Sequence, residues 1–275
     1  MDIAHREVTK QLMKEQGFIT HDFEYNWDAM TRSAHIAYKY DQLPVSGMPY
    51  CIASNVLKDP ELFIQLLKQY PATESDPRFW AGSAHHIGYK QSLHAQTFLP
   101  LLSMWRVAFK EMFPEVDLDD HKTAASWSVT TNIYSKEMHP AFIPHHDGGR
   151  VSNLWLSKGL EHFGTGFYRL KMDGKYFYHV KELTKYNRTR YGVTNRKLLE
   201  SLSTARFWEE NDNWELYAAL PAVYNSALIY DGNWFHAGLG IPEEWPEKKI
   251  RYSLISLLGI PGNAEPSRVK EDETI

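Results

Sequence analysis

A single cysteine, Cys51, stands in a chain of 275 residues. One cysteine excludes an intramolecular disulfide and a thiolate-built metal site, and it suits a reducing compartment. The opening stretch, residues 1–20, lacks the continuous apolar core of a signal peptide. No run approaches the roughly 20 apolar residues that a membrane helix needs. A soluble, cytoplasmic protein without a membrane partner is therefore expected. Positive charge is also in short supply: the formal net charge is -4. A nucleic-acid-binding domain shows a basic excess and, for single strands, basic residues interleaved with aromatics. Neither pattern is present, so no nucleic-acid partner is expected. Internal repeats and low-complexity segments are absent as well.

Core material is ample. Hydrophobic residues make up 43% and aromatics 14%, including nine Trp and sixteen Tyr. That is enough for one domain over residues 1–275 and for an aromatic-lined cleft in it. Residues 1–120 are expected to form a mainly helical N-terminal support. Asp59-Pro60-Glu61 has the order of a helix start, with an N-cap, a first-turn proline and an acid at the positive end of the dipole. Phe63, Leu66, Leu67 and Tyr70 then recur at helical spacing, and Pro71 ends the run. A second helix is expected near residues 93–113, with Leu101, Trp105 and Phe109 on one face. Residues 49–57 read as a strand entering the first helix.

From residue 121 to 260 the pattern becomes that of short strands. β-branched and aromatic runs occupy residues 126–134, 154–156, 166–170, 175–180, 223–230 and 251–258. Met172-Asp173-Gly174-Lys175 marks a hairpin turn, and Asp231-Gly232-Asn233 marks a turn just before His236. The expected fold is mainly β with α: a jelly roll, or double-stranded β-helix of the cupin type, with N-terminal helices packed outside. Residues 181–221 are polar and charged and are expected to form a helical insertion between strands, either a lid or a solvated face. Residues 261–275 read as a loose tail.

The chemistry is carried by His145-His146-Asp147, a distant His236, and Arg251-Tyr252-Ser253. Alternate residues of a strand share a face, so His145 and Asp147 point the same way and His146 the other. Two imidazoles and one carboxylate, His145, Asp147 and His236, make a facial set for non-haem iron(II) with positions left open. Gly148-Gly149 lets the chain turn beside such a site without a bulky side chain. Arg251, beyond the second histidine, suits bidentate anchoring of a carboxylate-bearing cosubstrate.

In these residues the chain resembles the iron(II)/2-oxoglutarate-dependent dioxygenase superfamily, in its prolyl-hydroxylase-like group and the bacterial small-molecule branch of it. The resemblance spans roughly residues 50–258. It rests on Asn132-Ile133-Tyr134 leading to His145-His146-Asp147, on Gly164 through Arg169, on Asn225 through His236, and on Asn55 through Pro60. It implies that His145, Asp147 and His236 bind Fe(II), and that Arg251 and Ser253 hold the distal carboxylate of 2-oxoglutarate. Tyr134 would donate its hydroxyl to the same cosubstrate. The stretch between His236 and Arg251 is longer than the group's usual spacing, which leaves Arg169 as an alternative anchor.

The activity implied is oxidation of an unactivated C–H bond with Fe(II), 2-oxoglutarate and O₂. The carboxylate of Asp147 favours hydroxylation, desaturation or cyclisation over halogenation. Arg169, Trp155, Tyr168 and Trp234 are candidates for contacting the substrate, expected to be a small amino acid or a peptide-like molecule. Two other readings of the same residues remain: a cupin-like metalloenzyme that uses no keto acid, and a non-catalytic binding barrel.

Overall fold

The computed structural model describes residues 33, 35–69, 73–74, 89–93, 99–114, 128–134, 144, 150–171, 174, 214–239 and 251–258. Among them, antiparallel sheets dominate and helices are few. In chain order the strands are β1 (Ala37–Gln42), β2 (Pro49–Ser54), β3 (Thr73–Glu74), β4 (Tyr89–Leu93), β5 (Ser128–Tyr134), β6 (Arg150–Trp155), β7 (Thr165–Leu170), β8 (Trp214–Leu220), β9 (Ser226–Asp231), β10 (His236–Gly238) and β11 (Arg251–Leu258). The helices are α1 (Pro60–Gln69) and α2 (Leu99–Met112).

Eight strands form a major sheet in the order β1-β2-β9-β6-β11-β5-β4-β3, and three form a minor sheet, β10-β7-β8. The chain weaves between them. It leaves β6 for β7 and β8 in the minor sheet, returns to β9, crosses to β10, and comes back to β11. Every pairing is antiparallel. Such crossing of consecutive strands between two packed sheets is jelly-roll-like.

The period of two along the strands sorts the core into two layers. Cys51, Leu154, Ala227, Ile229 and Leu254 face the helices, where they meet Phe63, Trp105 and Phe109. Their neighbours Tyr50, Val151, Trp155, Leu228 and Tyr230 face the other way, against Phe167 of the minor sheet and Trp234. Partly buried Ile255 joins this second layer. Odd-numbered positions of β11 therefore look into the space between the sheets, and even-numbered ones look toward the helices.

Local signals explain the helices. Asp59 accepts at Oδ1 from the Leu62 N–H at 2.9 Å, the N-cap bond that Asp-Pro-Glu announces. α2 ends at Met112, just before Phe113 and Pro114. In the first third the described residues hold β1 to β4 beside α1 and α2. One expectation is corrected. The stretch 214–220 is a strand of the minor sheet, not the end of a helical insertion. β7 takes β8 and β10 as its partners; residues 175–180, expected to form a hairpin with it, lie outside the described residues. So do residues 181–213 and 261–275.

Candidate functional site

β9 ends in a turn that delivers His236. Asp231, fully buried, accepts at Oδ1 from the Asn233 N–H at 3.0 Å and from Asn233 Nδ2 at 2.8 Å. The Trp234 N–H closes onto the Asp231 carbonyl at 3.3 Å. Asp-Gly-Asn thus forms an Asx-type turn. It leaves the Trp234 carbonyl 2.8 Å from His236 Nδ1. A carbonyl only accepts, so Nδ1 carries the proton. In the neutral ring the lone pair then resides on Nε2.

The His236 ring is held from two sides. Tyr230 meets it edge-on at 4.9 Å between centroids, and Phe167, its register partner, lies at 6.5 Å. Phe167 and Tyr230 meet each other at 5.2 Å and 87°. All three belong to the layer between the sheets. His236 itself is 4% exposed.

Arg251 and Ser253 open β11 on that same inner side, exposed by 4% and 1%. Their strand is pinned at its start: the Tyr252 N–H donates to Ser157 Oγ at 2.7 Å, and the Leu156 N–H donates to the Tyr252 carbonyl at 3.1 Å. Register places position 134 directly across from Arg251, and both Asn132 and Trp155 across from Ser253. Directly opposite residues of an antiparallel pair share a face. Positions 134, 155, 251 and 253 therefore form one patch of the inner sheet surface.

The remaining candidates fall in different places. His145 and Asp147 lie outside the described residues. Among the described residues no group of three His, Cys, Asp or Glu is placed to hold a metal, and His236 is the one expected ligand they include. Trp155 and Trp234 are buried in the inner layer. Tyr168 is buried too, with its N–H on the Phe235 carbonyl at 2.9 Å. A Cβ on Gly166 would come within 3.0 Å of the Tyr168 ring, so these two share the face of β7 opposite Phe167. Burial pushes the Tyr168 phenol far above its usual range. Arg169 is paired through Nε and Nη2 with Glu215, its cross-strand neighbour, and a third of its side chain is exposed. An anchor at Arg169 would have to displace that carboxylate; Arg251 is the more deeply buried cation.

The Asp231-Gly232-Asn233 turn is expected from the sequence, and the structure adds that Asp231 is the acceptor that shapes it. Asn153 faces the inner layer from β6, two residues before Trp155, and nothing in the linear sequence marks it.

A model of a family of unknown function, DUF6445, matches residues 34–246. No curated protein matches the sequence. Among solved structures, the selenomethionine-labelled Fe(II)/(alpha)ketoglutarate-dependent dioxygenase TqaL is similar over 98% of this chain and 95% of its own, at 10% identity and a TM-score of 0.31. That superposition is too loose to carry fold or chemistry from one chain to the other. No helix among the described residues is long and apolar enough to cross a membrane.

Proposed function

This chain belongs to the DUF6445 family, whose function is unknown, and we propose that it is an iron(II)- and 2-oxoglutarate-dependent oxygenase acting on a small amino-acid or peptide-like substrate. The observation that carries the reading is the inner surface of the two sheets. It holds a histidine of fixed tautomer at one strand start and a buried Arg-x-Ser at another, with position 134 opposite the arginine.

The donor set fits the metal. A ligating histidine usually gives its second ring N–H to a carbonyl or carboxylate, and His236 gives its Nδ1–H to Trp234. His145 and Asp147 supply the other imidazole and the carboxylate. Asp147 is three residues from Arg150, so chain length keeps it within about 11 Å of that strand end. Arg150 lies opposite Asp231, from which the His236 turn departs. Chain length therefore permits the three ligands to meet at that strand end.

When bound, the iron and its keto acid couple oxidative decarboxylation by O₂ to oxidation of a substrate C–H bond. The chain's own residues bind and exclude. Arg251 offers a buried guanidinium fork to the distal carboxylate, with Ser253 as a further donor on the same strand face. Tyr134 is assigned a hydroxyl donated to the same cosubstrate. Phe167, Tyr230 and Trp234 wall the histidine in apolar surface, which keeps water from its lone pair and strengthens polar interactions within.

The test is anaerobic titration of iron(II) and 2-oxoglutarate into the apoprotein, followed by visible absorption. A weak charge-transfer band that requires both components is expected, and it is lost in Asp147→Ala. Iron binding without that band would favour a metalloenzyme that needs no keto acid. No iron binding would leave a non-catalytic barrel.

A further inference from the structure

We infer that Trp155 is a third hydrogen-bond donor of the carboxylate subsite formed by Arg251 and Ser253, making that subsite selective for keto acids with a second, distal carboxylate. The inference rests on the keto-acid reading above and names a residue of that same site. Trp155 is 1% exposed. Its indole Nε1–H is buried and has no hydrogen-bond partner among the described residues. Buried indole N–H groups ordinarily find an acceptor. The ring sits on β6 directly opposite Ser253, with Arg251 two residues further along the same face.

The surroundings say which acceptor is missing. Trp155 packs among Val151, Leu228, Tyr230 and Phe167, an apolar layer that supplies no carbonyl or carboxylate to its ring nitrogen. The polar groups next to it along β11 are a guanidinium and a hydroxyl. An orphaned N–H donor beside a hydroxyl and the proposed carboxylate anchor suits a carboxylate, which is planar and offers two acceptor oxygens. Asn153 Oδ1, two residues earlier on the same face, is also buried without a partner among the described residues, but an amide oxygen accepts and asks for a donor, not for a carboxylate.

The test compares keto acids with and without the distal carboxylate. Binding of 2-oxoglutarate and of pyruvate to the iron(II)-loaded protein is measured anaerobically by calorimetry for wild type, Trp155→Phe and Trp105→Phe. Trp105 is the control, because its Nε1–H is also buried and unpartnered but lies on the helix side of the major sheet. Trp155→Phe keeps an aromatic ring, though a smaller one, and removes the donor. It is expected to weaken 2-oxoglutarate about tenfold, as for loss of one charge-assisted hydrogen bond, while leaving pyruvate unchanged. Trp105→Phe should alter neither. Equal affinity of wild type and Trp155→Phe for 2-oxoglutarate would overturn the inference and leave the proposed activity standing. So would an equal loss for both acids, which would mark a packing defect. Failure of wild type to bind either acid would overturn the activity and this inference together.

Discussion

Asn225 serves Leu57 as a neighbouring strand would: its Oδ1 accepts from the Leu57 N–H at 2.9 Å and its Nδ2 donates to the Leu57 carbonyl at 3.0 Å. Its backbone is engaged as well. The Val56 N–H donates to the Asn225 carbonyl at 3.1 Å, and the Asn225 N–H to that of Trp155 at 2.8 Å. One residue therefore ties the exit of β2 to the end of β6 and the entry of β9. It does so with φ of 54°, a conformation that asparagine tolerates better than other side-chain-bearing residues. Replacing it with alanine orphans a buried N–H and C=O and adds backbone strain. Asn225→Ala should cost about 3 kcal/mol, read as a fall in the urea midpoint with unchanged slope. Asn225→Gly removes the strain and should recover about 1 kcal/mol of that. A loss below about 1 kcal/mol in the alanine variant would show that water replaces the amide.

Gly164 marks a close backbone approach within the minor sheet, between the entry to β7 and the end of β8. A Cβ there would lie 1.8 Å from the Leu220 carbonyl oxygen. Backbone cannot swing aside as a side-chain end can, so β7 and β8 would have to part. Gly164→Ala is expected to unfold the minor sheet or cost more than about 3 kcal/mol. Gly47 is the contrast: its φ is 66°, yet nothing lies within 4 Å of an added Cβ. Gly47→Ala should cost only about 1 kcal/mol. Thermal unfolding of the two variants side by side separates steric conflict from turn strain.

These positions also show what a linear reading recovers. Asp59-Pro60, Asp231-Gly232-Asn233 and the run Arg251–Leu258 were legible because each carries its signal within a few residues: a cap, a turn, an alternating strand. β1 was not, because its alternation is confined to Tyr38 and Tyr40 between Lys39 and Asp41, too short a signal in an edge strand exposed along most of its length. β8 was not either: Trp214–Leu220 mixes helix formers with a charge, and only pairing with β7 makes it a strand. At the candidate site, the strand that carries Arg251 and Ser253 was legible from its alternating pattern. The Glu215 partner of Arg169 is 46 residues away, and no local pattern announces it.

Glu61 links α1 to two loops, accepting from Lys158 Nζ and from the Tyr224 hydroxyl at 2.7 Å. Lys158 first, then Tyr224, hold its carboxyl below its ordinary value of 4.5. A carboxyl whose folded value is depressed adds stability above its unfolded value. That contribution fades as pH falls through the folded value. Melting temperature should therefore decline below pH about 4.5 partly through Glu61. Exposure of both side chains keeps the effect small. In Glu61→Gln the decline should be shallower; an identical slope would mean that the pair is fully screened.

Cys51 lies in β2 with no exposure, and burial pushes its thiol up to about 12. Thiolate is the reactive form. The native protein should therefore resist thiol reagents at neutral pH and react once denatured. Labelling with a chromogenic disulfide should track unfolding in urea. Fast stoichiometric labelling in buffer would show that β2 opens locally.

If the proposed function holds, the binding of metal by His236 is separable from its role in packing. Its Nδ1–H bond to Trp234 stabilises the turn after β9 whether or not iron is present. Removing it should cost about 1 kcal/mol in the apoprotein. Metal adds a second term, because a ligand bound to the folded state alone stabilises by mass action. At a hundredfold excess over Kd this is about 2.7 kcal/mol, or roughly a 5 °C rise in Tm for a chain of this size. Anaerobic iron(II) should raise the wild-type Tm by that amount and leave His236→Ala unmoved. Arg251→Met should keep the iron-induced rise, since it is not a ligand, and lose the further rise given by 2-oxoglutarate. If His236→Ala still responds to iron as wild type does, the metal is held elsewhere and His236 serves only the turn.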